Sequence, residues 1–143
     1  MDGTILDGDG RVSREARAHF TLLREFYPRV TCVMHTHALN VMVFCAANKD
    51  MVPVLHATDP FGVIRQTRDE ASETDALAEA VLERMRETNS LESARAACCM
   101  APRHGLFVMA TDIHVAFEIT ERVDTNAWCI LQGANLGITY PGA

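Results

Sequence analysis

The stretch V-T-C-V-M-H-T-H-A, residues 30–38, joins a buried strand to two histidines. Its first five residues are apolar or β-branched and predict a strand over 30–34. His35 and His37 follow one residue apart, and the period of two in an extended chain sends both imidazoles to the same side. One interpretation is a pair of surface histidines, and another is a pair that hydrogen-bonds to a loop. The third is two ligands of one metal ion.

A catalytic zinc site normally takes three protein ligands, so the metal hypothesis requires a third histidine. His104 is the candidate, because it lies in the turn P-R-H-G between two apolar segments and Gly105 allows the backbone to approach closely. Three other histidines are weaker candidates. His19 lies inside a predicted helix, where a packing role is expected, and His114 is expected to face solvent. His56 is expected to support a ligand rather than bind the metal.

Glu15 is the candidate general acid/base. It lies in the first turn of a predicted helix, where the helix dipole favours an ionised carboxylate. The alternative is that the carboxylate does only this, because glutamates are common at helix starts.

Strands and helices alternate along the chain, which predicts an α/β or mixed three-layer domain. The predicted strands cover residues 4–6, 30–34, 51–55, 96–100 and 106–110. The predicted helices cover residues 15–26, 38–47, a segment from the S-E-T-D stretch at 72–75 to about 87, and a last long segment after Asp112. Ser13, the capping-box-like S-E-T-D stretch and Asp112 are expected to cap helix starts, and residues 56–67 are expected to form an irregular loop.

Composition bounds the function. The chain has 143 residues, 48% of them hydrophobic and 22% charged, which indicates a single globular domain over residues 1–143. A net charge of −6 argues against a nucleic-acid partner, and no apolar run is long enough to span a membrane. The five cysteines are odd in number and form no C-x-x-C motif, so we expect buried thiols in a reducing cytoplasm. Cys98 and Cys99 are expected to face opposite sides of a strand.

The first ten residues contain D-G-T-I-L-D, the second half of the phosphatase signature D-x-D-G-T-[IL]-x-D. The nucleophile of that signature is its first Asp, and no residue of this sequence stands two positions before Asp2. The pairs Asp7-Gly8 and Asp9-Gly10 favour a tight turn, which is the interpretation we adopt.

Four motifs in a fixed order resemble the class II aldolase/adducin family. They are S-R-E at 13–15, H-T-H at 35–37, V-P-V-L-H at 52–56 and P-R-H-G at 102–105. The resemblance extends from about Asp2 to about Leu131, and the family includes fuculose-phosphate aldolase and ribulose-phosphate 4-epimerase. It implies a central, mainly antiparallel sheet flanked by helices.

The resemblance also implies a site and a reaction. His35, His37 and His104 would bind the metal, usually zinc, with manganese, cobalt or iron as alternatives, and Glu15 would be the catalytic acid/base. The implied reaction is cleavage or formation of a carbon–carbon bond in a small, phosphorylated ketose through a zinc-stabilised enediolate. A sugar phosphate or a keto-acid is the implied substrate class. The implied assembly is a homo-oligomer, typically a tetramer with active sites at subunit boundaries.

Several positions depart from the family pattern. The resemblance implies that the family's N-terminal phosphate-binding loop would precede the first residue of this sequence. Arg14 stands where some relatives have a second serine after Ser13. Ser13 and Arg14 are candidate substrate contacts. Ala57 replaces an aldolase tyrosine, and Asp59 lies one position from an epimerase aspartate, which makes it a third candidate. An epimerase, a decarboxylase, a dehydratase and a non-catalytic adducin-like association domain therefore remain alternatives to the lyase.

Overall fold

The sheet consists of three antiparallel strands in a computed structural model that describes residues 12–142. The strands are β1 (Cys32–Thr36), β2 (Ala96–Ala101) and β3 (Gly105–Ala110), in the order β1-β3-β2. β3 therefore lies in the centre, with His35 opposite Phe107 in the β1–β3 register. This confirms the predicted antiparallel sheet. The predicted strand at 4–6 and the turn at 7–10 lie outside the described residues.

Five α-helices surround this sheet within residues 12–142. They are α1 (Ala16–Phe26), α2 (Val41–Ala47), α3 (Asp75–Arg86), α4 (Ser90–Ala94) and α5 (Ile113–Asn135). Helices α1 and α3 pack against one face of the sheet, and α2 and α5 pack against the other. None of these helices is both long enough and apolar enough to span a bilayer.

Two apolar clusters, one on each face, form the core. Alternate residues of β2 and β3 supply both, so Cys98 lies in the cluster with α5 and Cys99 in the cluster with α1, as predicted. Every residue of both strands is buried. Phe107 and Leu22 are among the fully buried side chains, and each such residue contributes roughly 1.5–3 kcal/mol by leaving water.

Two helices, α3 and α5, begin with a side-chain cap from their own N-cap residue. The prediction that Ser13 caps α1 was wrong: the N-cap of α1 is Glu15, which makes no side-chain cap hydrogen bond, and the Ser13 hydroxyl only accepts from the Glu15 N–H at 3.2 Å before the helix starts. The Asp112 carboxylate caps α5, accepting from the Val115 N–H at 3.0 Å, as predicted. The prediction that α3 begins from a capping box at Ser72 was wrong. Thr74 is the cap, because the chain turns at residue 73 and only the Thr74 hydroxyl reaches an N–H of the first turn.

The predicted strand over 51–55 was also wrong. Only Met51 pairs as a strand residue, with Ile64. Pro53 has no N–H, and the backbone groups of Val52 and Val54 bond to the side chain of Asn126 on α5 rather than to another strand. Helix α4, which lacks a side-chain cap, was not predicted.

Residues 65–67 continue the sheet beyond β2 for a short distance. The Met100 N–H donates to the Arg65 carbonyl at 2.9 Å, and the Thr67 N–H donates to the Met100 carbonyl at 2.7 Å. This pairing directs the chain past the end of the sheet toward the segment before α3. That segment reaches the start of α1, as described below.

Candidate metal centre and active site

Three imidazoles converge at one end of the sheet. His35 lies in β1, His37 follows its end, and His104 lies in the turn between β2 and β3. One ring nitrogen of each lies within 4.8 Å of the others. The Nε2 atoms of His35 and His37 are 3.2 Å apart, and the rings of His35 and His104 stack with centroids 4.7 Å apart. The convergence that the metal hypothesis requires is therefore present.

Gly105 permits this convergence. A Cβ atom at position 105 would lie 2.6 Å from the Thr36 carbonyl oxygen, 2.8 Å from the His37 ring and 3.0 Å from the His35 ring. Contacts this short are steric clashes with both backbone and ring atoms. The close backbone approach expected from the sequence is confirmed, since only a glycine lets β3 pass so near the two rings.

Burial favours the neutral form of two of the three imidazoles, His35 and His104. The Nδ1–H of His35 donates to the Leu106 carbonyl at 3.0 Å, which leaves the Nε2 unprotonated on the side of the ring that faces His37. Burial, reinforced by nearby His104, lowers the pKa of His35 to about 4. Burial also lowers the pKa of His104, although the nearby Glu15 carboxylate acts in the opposite direction. Neutral imidazoles are the form that binds metal ions.

Glu15 lies directly beside the triad. It is 4% exposed, and its Oε1 is 3.3 Å from the Nε2 of His104. The two atoms are close but lack the alignment of a hydrogen bond, and this buried nitrogen has no hydrogen-bond partner among the described residues. The carboxylate accepts instead from the backbone N–H of Glu73 at 3.1 Å. A carboxylate and a partnerless imidazole nitrogen thus face the same space.

These residues line a cleft of about 400 Å³. Its lining consists of Ser13, Arg14, Glu15, His35, His37, Ser72, Glu73 and His104. The structure therefore brings together every predicted site residue except Asp59. Asp59 lines another cleft, of about 500 Å³, that contains none of the three imidazoles, and its carboxylate lies 3.1 Å from exposed His56. His114 is exposed, as predicted.

Ser72 and Glu73 are the cleft residues that sequence reasoning missed. The contact of Glu73 with Glu15 comes from a backbone N–H, which no side-chain pattern could reveal. His19 lies one helical turn after Glu15, and its Nε2 is buried without a hydrogen-bond partner among the described residues. Burial lowers the pKa of His19, and Glu15 opposes that shift. The expected packing role leaves this nitrogen unexplained.

The residues present fit a divalent metal ion. A tetrahedral zinc ion with zinc–nitrogen bonds of about 2.0–2.1 Å places two nitrogen ligands about 3.3 Å apart, close to the 3.2 Å between His35 and His37. The buried Nε2 of His104, which has no partner among the described residues, completes a set of three donors. Three neutral imidazoles are also a donor type that zinc favours.

The family described as "Class II Aldolase and Adducin N-terminal domain" matches residues 1–131. The chain belongs to the class II aldolase and adducin family. No curated protein matches the chain significantly in sequence.

Solved structures of sugar-phosphate aldolases have the same fold. An L-fuculose 1-phosphate aldolase superposes with a TM-score of 0.78 at 20% identity, over 98% of this chain and 63% of its own. L-fuculose-1-phosphate aldolase from Thermus thermophilus gives 0.74 at 18% identity, over 99% of this chain and 70% of its own. A sugar-phosphate aldolase from Thermotoga maritima gives 0.70 at 18% identity, over 94% of this chain and 60% of its own. At these identities the likeness concerns the fold, and the chain spans only 60 to 70% of these proteins.

Proposed function

We propose that this member of the class II aldolase and adducin family is a metal-dependent lyase that cleaves or forms a carbon–carbon bond in a small ketose. The observation that carries the proposal is the 3.3 Å separation between the buried Glu15 carboxylate and the His104 ring. It places a proton acceptor next to three converging imidazoles. An association domain has no need for this combination.

His35, His37 and His104 would hold a divalent ion, for which zinc is our first choice. Such an ion supplies Lewis acidity, which draws electrons from a ketone oxygen and stabilises the negative charge that develops on it. Three neutral ligands leave the ion's full charge available for this purpose. The Leu106 carbonyl fixes the His35 ring by accepting its Nδ1–H.

Glu15 would move the proton. In the bond-forming direction one carboxylate oxygen removes a proton from the carbon beside the ketone, and the C–H electron pair moves toward the carbonyl. In the cleavage direction Glu15 returns the proton to that carbon. A carboxylate is suited to this step when it lies within hydrogen-bond reach of the carbon-bound proton. Glu15 lines the cleft, so a substrate bound there could come within that reach.

We propose a small phosphorylated ketose or a keto-acid as the substrate. Arg14 supplies a cation to the cleft, and Ser13 supplies a hydroxyl. We also propose a homo-oligomer, with a tetramer as the first choice. Asp59 would contact the substrate only if a second copy of the chain brought it to the cleft. Exposed apolar side chains on α5, Phe117 and Trp128 among them, favour such association.

The same residues would also serve an epimerase, a decarboxylase or a dehydratase. Each of these reactions uses a stabilised negative charge beside a carbonyl group. The residues of the site therefore do not distinguish the reactions, and an analysis of the products does. We place the lyase first because three solved structures with this fold are sugar-phosphate aldolases, while a fourth, from Escherichia coli, is described as a putative aldolase/epimerase/decarboxylase and keeps the alternatives open.

Metal analysis tests the first half of the proposal. The purified protein, dialysed against zinc, should retain about one ion per chain, and His104→Ala should retain none. His114→Ala is the matched control, because it removes an exposed histidine from α5 and should keep the ion. Equal zinc content in the two variants would contradict the metal site.

Solvent deuterium exchange tests the second half. The zinc-loaded protein should incorporate deuterium beside the carbonyl of dihydroxyacetone phosphate, and Glu15→Gln should lower that rate by about 100-fold or more while keeping the metal. Exchange that continues at the original rate in Glu15→Gln would assign the proton transfer to another group.

A further inference from the structure

Four non-glycine residues of the described chain have positive φ angles, and three of them have a local explanation. Asn48 and Arg95 end helices α2 and α4, and Arg103 lies in the tight turn between β2 and β3. Glu73, at φ +65°, is different because it ends no helix and precedes the cap of α3. A side chain in this left-handed region is disfavoured, and the surrounding structure has to hold it there.

The contacts of Glu73 show what holds it. Its N–H donates to the Glu15 carboxylate, at 3.1 Å to one oxygen and 3.4 Å to the other. Its carbonyl oxygen accepts from the Arg17 guanidinium, and its carboxylate accepts from the Arg14 Nε at 2.6 Å. One residue thus binds three positions at the start of α1.

The N–H contact is the one that touches the proposed chemistry. Glu15 is buried, and among the described residues the Glu73 N–H is the hydrogen-bond donor to its carboxylate. On its other side the carboxylate lies 3.3 Å from His104. The orientation of the carboxylate between the donor and the triad therefore depends on where the amide of residue 73 points. A left-handed φ sets that direction.

We propose that Glu73 is a positioning residue: its left-handed backbone aims the N–H that orients the Glu15 carboxylate toward the imidazole triad. The role belongs to the backbone conformation, and the Arg14 and Arg17 contacts stabilise that conformation. The inference rests on the proposed function only for its kinetic consequence. The hydrogen bond itself is independent of catalysis.

The conformational preference of different side chains makes the proposal testable. Asn tolerates the left-handed region, whereas the β-branched Val does not. Both Glu73→Asn and Glu73→Val remove the carboxylate that pairs with Arg14. A difference between the two variants therefore comes from the backbone conformation of residue 73 and not from the lost ion pair.

The first measurement uses amide NMR and hydrogen exchange on the full, metal-free chain. The amide proton of residue 73 should be shifted downfield and protected from exchange, and Glu15→Ala should lower that protection by about tenfold, the factor expected for one hydrogen bond to a charged group. Glu73→Asn should keep the protection and Glu73→Val should lose it. Protection that survives in Glu15→Ala would overturn the proposal.

The second measurement separates kcat from KM in the zinc-loaded protein. Glu73→Val should lower kcat by about tenfold, with little change in KM or in zinc content, and Glu73→Asn should recover most of that loss. Equal kcat values for the two variants would overturn the proposal. If the unaltered protein catalyses no exchange with dihydroxyacetone phosphate, the proposed function fails, and the amide measurement still decides the inference.

Discussion

Two buried polar sites in this molecule use hydrogen bonds in opposite ways. Asn126 on α5 is fully buried, and both atoms of its amide group have partners. Its Oδ1 accepts from the Val54 N–H at 2.8 Å and lies 2.8 Å from the Thr58 hydroxyl, while its Nδ2 donates to the Val52 carbonyl at 2.9 Å. At the other site the buried Nε2 of His104 has no hydrogen-bond partner among the described residues.

The difference separates architecture from chemistry. A buried polar group without a partner is destabilising, and native proteins keep few of them. Asn126 satisfies its neighbours and replaces the strand pairing that residues 52–54 lack. The Nε2 of His104, which lies beside two other imidazoles and the Glu15 carboxylate, is available to bind a ligand. The first site should therefore govern stability, and the second should govern ligand binding.

Removing the satisfied group should have the largest effect on stability. Asn126→Ala leaves the Val54 N–H and the Val52 carbonyl without their partners, so we expect a loss of about 3 kcal/mol in the free energy of unfolding. Urea denaturation measures it. Asn135→Ala on the same helix is the control, because within residues 12–142 that side-chain amide bonds only to exposed Gln132. Equal losses in the two variants would refute the anchoring role of Asn126.

Gly105→Ala should affect the second site most. The added methyl group would clash with the Thr36 carbonyl and with the rings of His35 and His37. We expect a loss of about 2 kcal/mol in stability from overpacking and a loss of zinc binding, measured by denaturation and by metal analysis. Gly62→Ala is the control, since a Cβ there meets no atom within 4 Å although its φ of +57° is unfavourable for alanine. It should lose stability but retain zinc.

The elements that the sequence predicted correctly are those whose information is local. Strands β2 and β3, the turn that carries His104 and the Asp112 cap each depend on residues within a few positions of one another. The pair His35 and His37 depends only on the period of a strand. The meeting of His104 with this pair is not local. The turn around His104 made it the candidate for a third ligand, and the resemblance to a family implied that the three residues meet.

The features that sequence reasoning missed depend on contacts between distant residues. Asn126 bonds to a segment 72 residues earlier in the chain, and Asp124 caps the start of α2 from 84 residues away. The Glu73 N–H reaches Glu15 across 58 residues. In each case one partner is a backbone N–H or carbonyl group. Every residue type except proline carries both groups, so the sequence does not indicate which of them will take part. A strand was therefore predicted at 51–55, where a side chain provides the hydrogen bonds instead.

Helix caps near the surface show how much a hydrogen bond contributes to stability when water can take the place of the capping side chain. The Thr74 hydroxyl accepts from the Leu77 N–H at 3.1 Å, so Thr74→Ala should lower stability by about 1 kcal/mol, measured by thermal denaturation. Ser72→Ala, at the position where the capping box was predicted to begin, should have almost no effect. A larger loss from Ser72→Ala would restore that predicted cap.

The smallest effect should come from the partly exposed Asp112 cap, and this effect should depend on pH. The hydrogen bond from the Val115 N–H is the main cause that lowers the pKa of Asp112 below its ordinary value of 3.8. Because the folded-state pKa is the lower one, the carboxylate's contribution is fully present above the unfolded-state pKa and is lost as pH falls through the folded-state pKa. Asp112→Asn keeps a cap that cannot titrate, so its melting temperature should fall less steeply than that of the unaltered protein below about pH 4. Asp69→Asn is the control for a lost charge, since Asp69 pairs with Arg103 but caps no helix. If the melting temperatures of Asp112→Asn and the unaltered protein fall in parallel below pH 4, the charge of the cap contributes nothing. Water would then compensate for a partly exposed group, which it cannot do at buried Asn126.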